Sequence, residues 1–399
     1  MPLRDAARAA CLSHAFLRSW RCFPNLTFNE EALWSKARMY SGDFGDAVDN
    51  IMRNHSGIGV KILELWPFCI VDHNLNSWLQ VAVIPGIEKL TLRLCPLSMK
   101  KYKFPLSLLS DGVRSTIRCL DLGFCTFHPT TELGPLRSLT SLHLLSVRIR
   151  GDELHGLLSN SLALACKLQR FSCLRICACE RLKLIESKAP NLSTLYFSGK
   201  AKLSLGEALQ MKKLSMWRSD VICYTRTELP SIMPNLDTLQ LCSYDEVVDT
   251  PMLPTRFLCL KHLTIYLISG SSPYDYFSLV SFLEASPSLE TLSLDMTADQ
   301  HCYLKNVKIT GFSSAKGLVE LTCYILNNAV SLECLTLDTN YGTTRRCSDS
   351  GFGRCGSFGK SLREARRALR AIRTYIEDKV PARVKLTVVG PCSRCHKLS

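Results

Sequence analysis

One pattern of apolar and polar positions recurs along the chain. It consists of an apolar residue, two variable positions, leucine or a similar residue, one variable position, and a second such residue. The clear copies begin at Ile87, Ile117, Leu139, Leu192, Leu236, Leu289 and Leu332, and weaker copies begin at Val60, Leu168, Met211 and Leu260. Side chains two positions apart point to the same face of a β-strand. Each copy therefore predicts a short strand with one apolar face.

The spacing of the copies indicates how these strands are arranged. Most copies begin about 20 to 30 residues apart, which is the period of leucine-rich repeats. One short strand cannot bury its apolar face alone, whereas stacked strands share a continuous core. Helix-like spacing precedes two of the copies, in residues 276–285 and 316–327. We therefore predict an α/β fold, an irregular leucine-rich-repeat solenoid with about ten or eleven parallel strands on its concave face.

Both ends of the chain depart from the repeat. Apolar residues from Leu3 to Leu17 recur at helical spacing until Pro24 ends the pattern, and a strand is expected at residues 26–28. Near the C-terminus, Leu369, Ile372 and Ile376 mark one apolar helical face, with arginines mostly off it. A closing strand follows, because apolar residues alternate from residue 384 to residue 388.

Two further features define the C-terminal end block. Ser361 and Glu364 have the spacing of a capping box, in which each side chain accepts from a backbone N–H at the start of the helix. Pro381 ends that helix. We expect the block to cover the open end of the solenoid, because an uncovered end would expose apolar core.

These patterns divide the chain into segments. The predicted segments are residues 1–24 with a small helical unit, residues 25–340 with the solenoid, residues 341–360 with a glycine-rich flexible linker, and residues 361–399 with a basic helix and strand cap. The linker and cap carry much of the net charge of +14. From Tyr341 onward there are 14 Lys and Arg against 4 Asp and Glu, a net charge of +10.

The N-terminal segment resembles part of a known family. The run Leu3–Ser13, LRDAARAACLS, followed by Phe16–Phe28, FLRSWRCFPNLTF, is similar to the second half of a plant F-box. The resemblance implies that the helical unit of residues 1–24 consists of partial F-box-like helices. The run 371–396, AIRTYIEDKVPARVKLTVVGPCSRCH, is similar to the C-terminal block of plant F-box/leucine-rich-repeat proteins of the FBD-associated class. The family pattern begins with a leucine-proline dipeptide and a first helix, whereas this sequence starts at Met1 and Pro2, which indicates an N-terminally truncated F-box.

The resemblance implies a function without bond chemistry. Members of the family are substrate-recognition subunits of cullin-type SCF ubiquitin ligases, in which the N-terminal helices dock on a Skp-type adaptor and the repeats hold a protein. The apolar positions expected to meet the adaptor here are Leu3, Leu12, Phe16 and Leu17. Because the first helix is absent from this sequence, we expect weak or absent adaptor binding. The alternative is a protein-interaction module that has lost its ligase link.

Composition and motifs limit the cellular location and the kinds of partner that the sequence allows. No apolar run is long enough to span a membrane, and charged residues interrupt the N-terminus, so we expect a cytoplasmic or nuclear protein with its 20 cysteines reduced. The positive charge belongs to one terminal element and lacks a nucleic-acid-binding signature, so a nucleic-acid partner is not expected. We also expect no membrane partner.

Two short motifs have candidate chemistry. Cys392, Cys395 and His396 have the spacing of a haem-attachment or partial zinc motif, but export and a fourth zinc ligand are both missing, so a turn is expected. The glycines at 351, 353 and 356 match the letters of a dinucleotide fingerprint but do not directly follow a strand. With no catalytic constellation elsewhere, we expect no enzyme, no cofactor and no bound metal.

The strand pattern also predicts where a protein partner binds. Positions between and just after the two leucines project from the concave face, and aromatic and arginine side chains dominate interface energetics. The central positions include Asp121, His143, Ser172 and Tyr196. The positions after the last apolar residue include Trp66, Arg93, Trp217, Tyr266 and Asp295.

Overall fold

A computed structural model gives the fold of most of the chain. The described residues are 3–29, 33, 44–56, 58–66, 74–96, 101–130, 132–160, 170–187, 189–205, 209–244, 255–268, 279–295, 306–329, 331–340 and 359–391. The chain divides into two compact units, unit 1 from Met1 to Gln210 and unit 2 from Met211 to Ser399.

Unit 1 begins with two short helices. Helix α1 spans Leu3–Ala10 and helix α2 spans His14–Arg21. Ser13 caps α2, because its side-chain oxygen accepts a hydrogen bond from the Phe16 N–H at 3.2 Å. Strand β1, Asn25–Phe28, follows where the sequence predicts a strand.

The main sheet of unit 1 is parallel. Its strands in chain order are β1, β2 (Ile62–Leu65), β3 (Lys89–Arg93), β4 (Cys119–Gly123), β5 (Ser141–Leu145), β6 (Cys173–Cys177) and β8 (Thr194–Ser198). Each strand pairs with the next one in that order. Strands β7 (Leu184–Glu186) and β9 (Lys202–Ser204) form a separate parallel pair.

Helices connect several of these strands. They are α3 (Phe44–Asn54), α4 (Leu75–Ala82), α5 (Asp111–Thr116) and α6 (Gly151–Asn160), with a 3₁₀ turn at Leu106–Leu108. Such helical connections are what parallel strands require, because a tight turn cannot return the chain to the starting edge.

Unit 2 repeats this architecture. Its parallel strands are β10 (Lys213–Trp217), β11 (Thr238–Tyr244), β12 (His262–Ile268), β13 (Thr291–Asp295), β14 (Asn306–Thr310), β15 (Cys334–Asp338) and β16 (Lys385–Val389), each paired with the next. Its helices are α7 (Val221–Thr227), α8 (Leu229–Ile232), α9 (Val280–Ala285), α10 (Lys316–Asn328) and α11 (Gly359–Tyr375), with a 3₁₀ turn at Glu377–Lys379.

The leucines of the recurring pattern form the core, as predicted. Leu120, Leu142, Leu195, Leu239 and Leu292 are all buried. Strand register places each leucine beside the equivalent residue of the next strand, so the apolar faces make a continuous layer within each unit. The α/β leucine-rich-repeat fold predicted from the sequence is therefore confirmed.

The predicted strand list needs two corrections. The described residues contain more parallel strands than the expected ten or eleven, in part because β14 has Val307 and Ile309 at its buried positions instead of leucines. The copy assigned to Leu168 is shifted, because the buried pair of β6 is Leu174 and Ile176. The preceding apolar position of that copy is therefore Phe171.

Unpaired cysteines occupy buried positions after two strands. Cys125 follows β4, and Cys179 follows β6. Burial raises the pKa of each thiol to about 12. These side chains act as small apolar residues, which is common for buried free cysteine.

The C-terminal elements close the sheet of unit 2. Strand β16 pairs with β15. In α11 Ile372 is buried and Leu369 is half-buried, and Ile376, directly after the helix, is also buried. The predicted capping box is wrong, because α11 begins at Gly359 and Ser361 therefore lies inside the helix. The Glu364 carboxylate accepts hydrogen bonds from the backbone N–H and the hydroxyl of Ser314, at 2.9 and 2.7 Å. Of the predicted linker, residues 359 and 360 already belong to α11, and residues 341–358 lie outside the described residues.

Candidate functional site

A row of polar and aromatic side chains crosses the sheet of unit 1. Because side chains alternate along a strand, the positions between the buried leucines share the opposite face. Register aligns them from β1 to β8. We call this set the polar row, and its members are Thr27, Glu64, Thr91, Asp121, His143, Arg175 and Tyr196.

Asp121 organises the centre of the polar row. Its two carboxylate oxygens accept hydrogen bonds from Nε and an Nη of Arg93, at 3.0 and 2.7 Å. A ring nitrogen of His143, Nδ1, lies 3.3 Å from the same carboxylate. An ionised carboxylate can only accept, so the hydrogen on this nitrogen of His143 donates to Asp121.

Arg93 links this centre to an exposed aromatic ring. Its guanidinium carbon lies 4.7 Å from the centroid of the Trp66 ring, within the range of a cation–π interaction. The Trp66 side chain is 43% exposed, so its other surface remains open. Trp66, Arg93, Asp121 and His143, which the sequence places in different repeats, therefore form one contiguous cluster.

The electrostatics of the cluster favour its charged form. Burial alone raises the pKa of the Asp121 carboxyl, but hydrogen bonds from His143 and Arg93 outweigh burial and leave that pKa below its ordinary value. The hydrogen bond to Asp121 raises the pKa of Arg93, despite the opposing effect of desolvation. Asp121 therefore stays ionised and holds the guanidinium of Arg93 in a fixed plane.

A second ion pair lies at the β2–β3 end of the row. The Lys89 ammonium is 2.5 Å from a Glu64 carboxylate oxygen, and the other oxygen accepts from the Thr27 hydroxyl at 3.2 Å. The hydrogen bond to Glu64 raises the pKa of Lys89, and partial burial opposes it. Each of these side chains belongs to a different neighbouring strand, so the pair also fixes the positions of polar groups across strands.

The opposite end of the row contains a residue that sequence reasoning missed. Arg175 occupies the central position of β6, where the sequence analysis placed Ser172, and its guanidinium carbon lies 4.2 Å from the centroid of Tyr196. The Ser172 hydroxyl instead donates to the Thr140 carbonyl at 3.4 Å, ahead of the strand. A search that began the copy at Phe171 would have assigned Arg175, because the spacing from Phe171 to Leu174 and Ile176 fits the repeat.

The predicted positions in unit 2 have different surroundings. Trp217 ends β10 and is 42% exposed. Tyr266 is only 6% exposed, and its hydroxyl accepts a hydrogen bond from the Gln240 amide at 3.0 Å, so the expectation of an open Tyr266 surface is corrected. The Asp295 side chain lies outside the described residues.

Cys173, His143 and Asp121 lie in the order of a nucleophilic triad. The Nε2 of His143 lies 3.8 Å from the Cys173 sulfur, while its Nδ1 meets Asp121. A reactive cysteine needs a lowered pKa, however, and burial raises the pKa of the Cys173 thiol against a smaller opposing effect of Arg175. This geometry suits polar recognition and leaves the thiol unactivated.

The metal and nucleotide motifs of the sequence lie in segments that the structure does not describe. Cys392, Cys395, His396 and the glycine motif of residues 351–356 lie outside the described residues. Among the described residues, no group of three or more His, Cys, Asp or Glu is arranged to hold a metal ion. Helices in the same part of the chain lack the length and hydropathy needed to cross a membrane.

The predicted adaptor positions lie on and beside the N-terminal helices. Leu12, between α1 and α2, is 78% exposed, and Phe16 on α2 is 53% exposed. Leu17 is half-buried, and the Leu3 side chain lies outside the described residues. Two large apolar side chains therefore stand in solvent near each other in sequence.

The fold and the polar row define a leucine-rich-repeat protein with a charged and aromatic strand face. Residues 51–300 and 295–393 match the family described as At1g61320/AtMIF1, LRR domain, and the chain belongs to this family. It is also similar to the F-box/FBD/LRR-repeat protein At1g13570 of Arabidopsis thaliana, at 23% identity over 377 residues, which is 85% of this chain and 87% of that protein. These findings support the resemblance to plant F-box/leucine-rich-repeat proteins.

Proposed function

We propose that the protein is the substrate-recognition subunit of a cullin-type SCF ubiquitin ligase and performs no bond chemistry itself. The polar row is the surface that binds the protein substrate. The observation that carries this proposal is the cluster of Trp66, Arg93, Asp121 and His143, in which fixed ion pairs present an open aromatic ring. The similarity to an F-box/FBD/LRR-repeat protein supports the ligase assignment.

Two residue types make the polar row, together with the adjoining Trp66 and Arg93, suited to protein binding. Arginine and tryptophan are enriched among the residues that dominate interface energies. Arg93 is held by a bidentate hydrogen bond, so little conformational entropy is lost when a partner contacts it. Arg175 stacks on Tyr196, and its Nε has no hydrogen-bond partner among the described residues. Trp217 is a further proposed contact, whereas buried Tyr266 is left out.

The N-terminal helices provide the proposed adaptor contact. Leu12 and Phe16 are exposed apolar side chains, and burying them against an adaptor would be favourable in proportion to the apolar area removed from water. Leu3 and Leu17 remain proposed members of the same contact. A Skp-type adaptor is therefore the first partner to test.

Co-purification with a Skp-type adaptor tests the ligase assignment. The sequence as given and a form preceded by a leucine-proline F-box helix are each expressed with the adaptor. We expect the extended form to bind, and we expect Leu12→Asp with Phe16→Asp to abolish that binding. The matched control, Ser19→Asp on α2, should still bind because Ser19 is a polar exposed position.

The alternative is a protein-interaction module without a ligase link. The family match begins at residue 51, so it covers the repeats and does not include the N-terminal helices. Failure of the extended form to bind the adaptor would favour this module over the ligase subunit.

A further inference from the structure

A cavity rich in basic side chains lies at one edge of the sheet of unit 1. It has a volume of about 270 Å³ and lies beyond the carboxyl ends of β5 and β6. It is lined by Lys101, Ser146, Val147, Arg148, Ala178, Glu180 and Arg181. Within the part of the chain that the structure describes, no ion pair joins any of its four charged side chains to another residue.

The turns beneath this cavity share one strained conformation. Phe124, Ser146 and Ala178 each follow the last residue of a strand, with φ of 57°, 52° and 53°. This left-handed region is costly for residues other than glycine and persists only where the surroundings hold it. Each of the three N–H groups donates to the last carbonyl of the next strand in the sheet, at 2.7 to 3.2 Å. The turns are therefore locked to their neighbours.

A second row of backbone contacts fixes the basic residues beside these turns. Bridges connect Lys103 with Thr126 and Thr126 with Arg148. The Thr126 N–H donates to the Tyr102 carbonyl at 2.7 Å, which holds the chain next to Lys101. The Lys101 ammonium lies 5.5 Å from the centroid of the Phe124 ring, within range of a cation–π interaction. Lys101 and Arg148 are thus carried by ordered backbone on neighbouring loops.

The charge of the lining indicates the kind of ligand. Lys101, Arg148 and Arg181 contribute three positive charges and Glu180 one negative charge, a net of +2. A phosphoryl group carries about −1.5 to −2 at neutral pH and has oxygen atoms that accept several hydrogen bonds. Arginine matches it well, because the planar guanidinium can donate two parallel hydrogen bonds to one phosphate.

The size of the cavity agrees with this ligand. Its volume of about 270 Å³ is several times the roughly 30 Å³ that a water molecule takes up in the liquid. That is enough for a phosphoryl group with the first atoms of its carrier, but it is below the usual range of about 300 to 1,000 Å³ for larger ligands.

We propose that this cavity binds a phosphoryl group. The group belongs either to a free phosphate compound or to a phosphorylated side chain of a protein, and both offer the same chemistry to the lining. The proposal does not depend on the ligase assignment, because none of the lining residues belongs to the polar row or to the proposed adaptor contact.

Isothermal titration calorimetry on the full chain tests the proposal. The probes are inorganic phosphate, a phosphoserine peptide and its unphosphorylated form. We expect saturable binding of a phosphorylated probe, weakened about tenfold or more in Arg148→Gln with Arg181→Gln, because charge-assisted hydrogen bonds are lost. Glu180→Gln should instead strengthen binding, because it removes the carboxylate from the lining.

A charge-matched variant controls for nonspecific attraction. Lys212→Gln with Lys213→Gln removes two exposed cations of unit 2 and should leave the affinity unchanged. The proposal is overturned if neither phosphorylated probe binds, or if the control weakens binding as much as the arginine pair does. Tighter binding of the phosphopeptide than of phosphate would support the phosphorylated protein as the source, and equal binding would support a free phosphate compound.

Discussion

At the residue scale, Asp121 fixes the positions of neighbouring side chains on the exposed face of the sheet. Its carboxylate is buried, yet it stays charged because Arg93 and His143 both donate to it. A buried ion pair adds little net stability when desolvation is counted, but removing one partner leaves the other as an uncompensated charge, which is destabilising. The pair therefore makes the position of Arg93, and of the Trp66 ring under it, depend on Asp121.

Asp121→Asn should destabilise the protein by about 1 to 3 kcal/mol near neutral pH, because Arg93 loses its charged acceptor. The folded-state pKa of Asp121 lies below its ordinary value, so the stabilisation exists above roughly pH 3.9. It is lost as the pH falls through the lower folded-state pKa. Urea unfolding between about pH 5.5 and pH 3 should show the difference from wild type shrinking toward acid.

Glu132→Gln is the control for this titration. Glu132 is exposed, so its neutralisation should change the free energy of unfolding by less than about 0.5 kcal/mol. A difference for Asp121→Asn that stays constant, or grows, down to pH 3 would show that the carboxylate charge does not stabilise the fold.

Single residues were predicted well only where the repeat fixes their environment. The buried leucines follow from alternation, whereas the burial of Tyr266 depends on contacts that the repeat does not encode. Arg226 is the clearest case: it is buried in α7, and its guanidinium donates to the backbone carbonyls of Thr255 and Ser281 at 3.0 and 3.2 Å. Nothing in the hydrophobic pattern distinguishes it from a solvent-exposed arginine.

At the scale of elements, the leucine spacing of the sequence predicts most strands but misses or displaces those in which other residues occupy the buried positions. Leucine spacing located β3, β4 and β5, because two buried positions separated by one residue require a strand. It missed β14, where β-branched residues replace leucine, and it displaced β6 by three residues. The role of Glu364 could not be predicted from local sequence. Its carboxylate accepts hydrogen bonds from Ser314, in the loop before α10, which is 50 residues away in the chain.

The C-terminal elements should be required for a soluble unit 2. Truncation after Gly359 removes β16 and most of α11, which leaves the edge of β15 unpaired and exposes the side of α10 that α11 contacts. Unpaired strand edges promote association between chains. Size-exclusion chromatography should therefore show aggregation, and thermal unfolding should occur at a lower temperature.

Arg370→Ala with Arg373→Ala is the matched change that keeps these elements. Both arginines are exposed on α11, so we expect a monomer with nearly unchanged thermal stability. A truncated protein that stays monomeric and melts like the intact chain would show instead that the end block is an independent appendage.

At the scale of the whole molecule, the fold depends on the buried repeat positions, whereas the proposed binding surface depends on the positions between them. The family match and the parallel strands both follow from the repeat, which any member must keep to bury its core. The polar row uses positions that the buried core does not constrain, so the repeat pattern does not determine which residues occupy it. Trp66, Arg93, Asp121 and His143 were predicted as separate positions. Strand register aligns Asp121 with His143, and the side-chain contacts of Arg93 with Asp121 and Trp66 complete the cluster.

Site-specific photocrosslinking tests most directly whether the polar row and the adjoining Trp66 ring bind a protein. A photoreactive phenylalanine derivative replaces Trp66, Tyr196 or, as a control, Leu258, which is an exposed apolar residue of unit 2. We predict that positions 66 and 196 capture the same protein in cells, that position 258 does not, and that Arg93→Ala reduces capture from position 66. Equal capture from position 258, or different proteins from positions 66 and 196, would contradict the account.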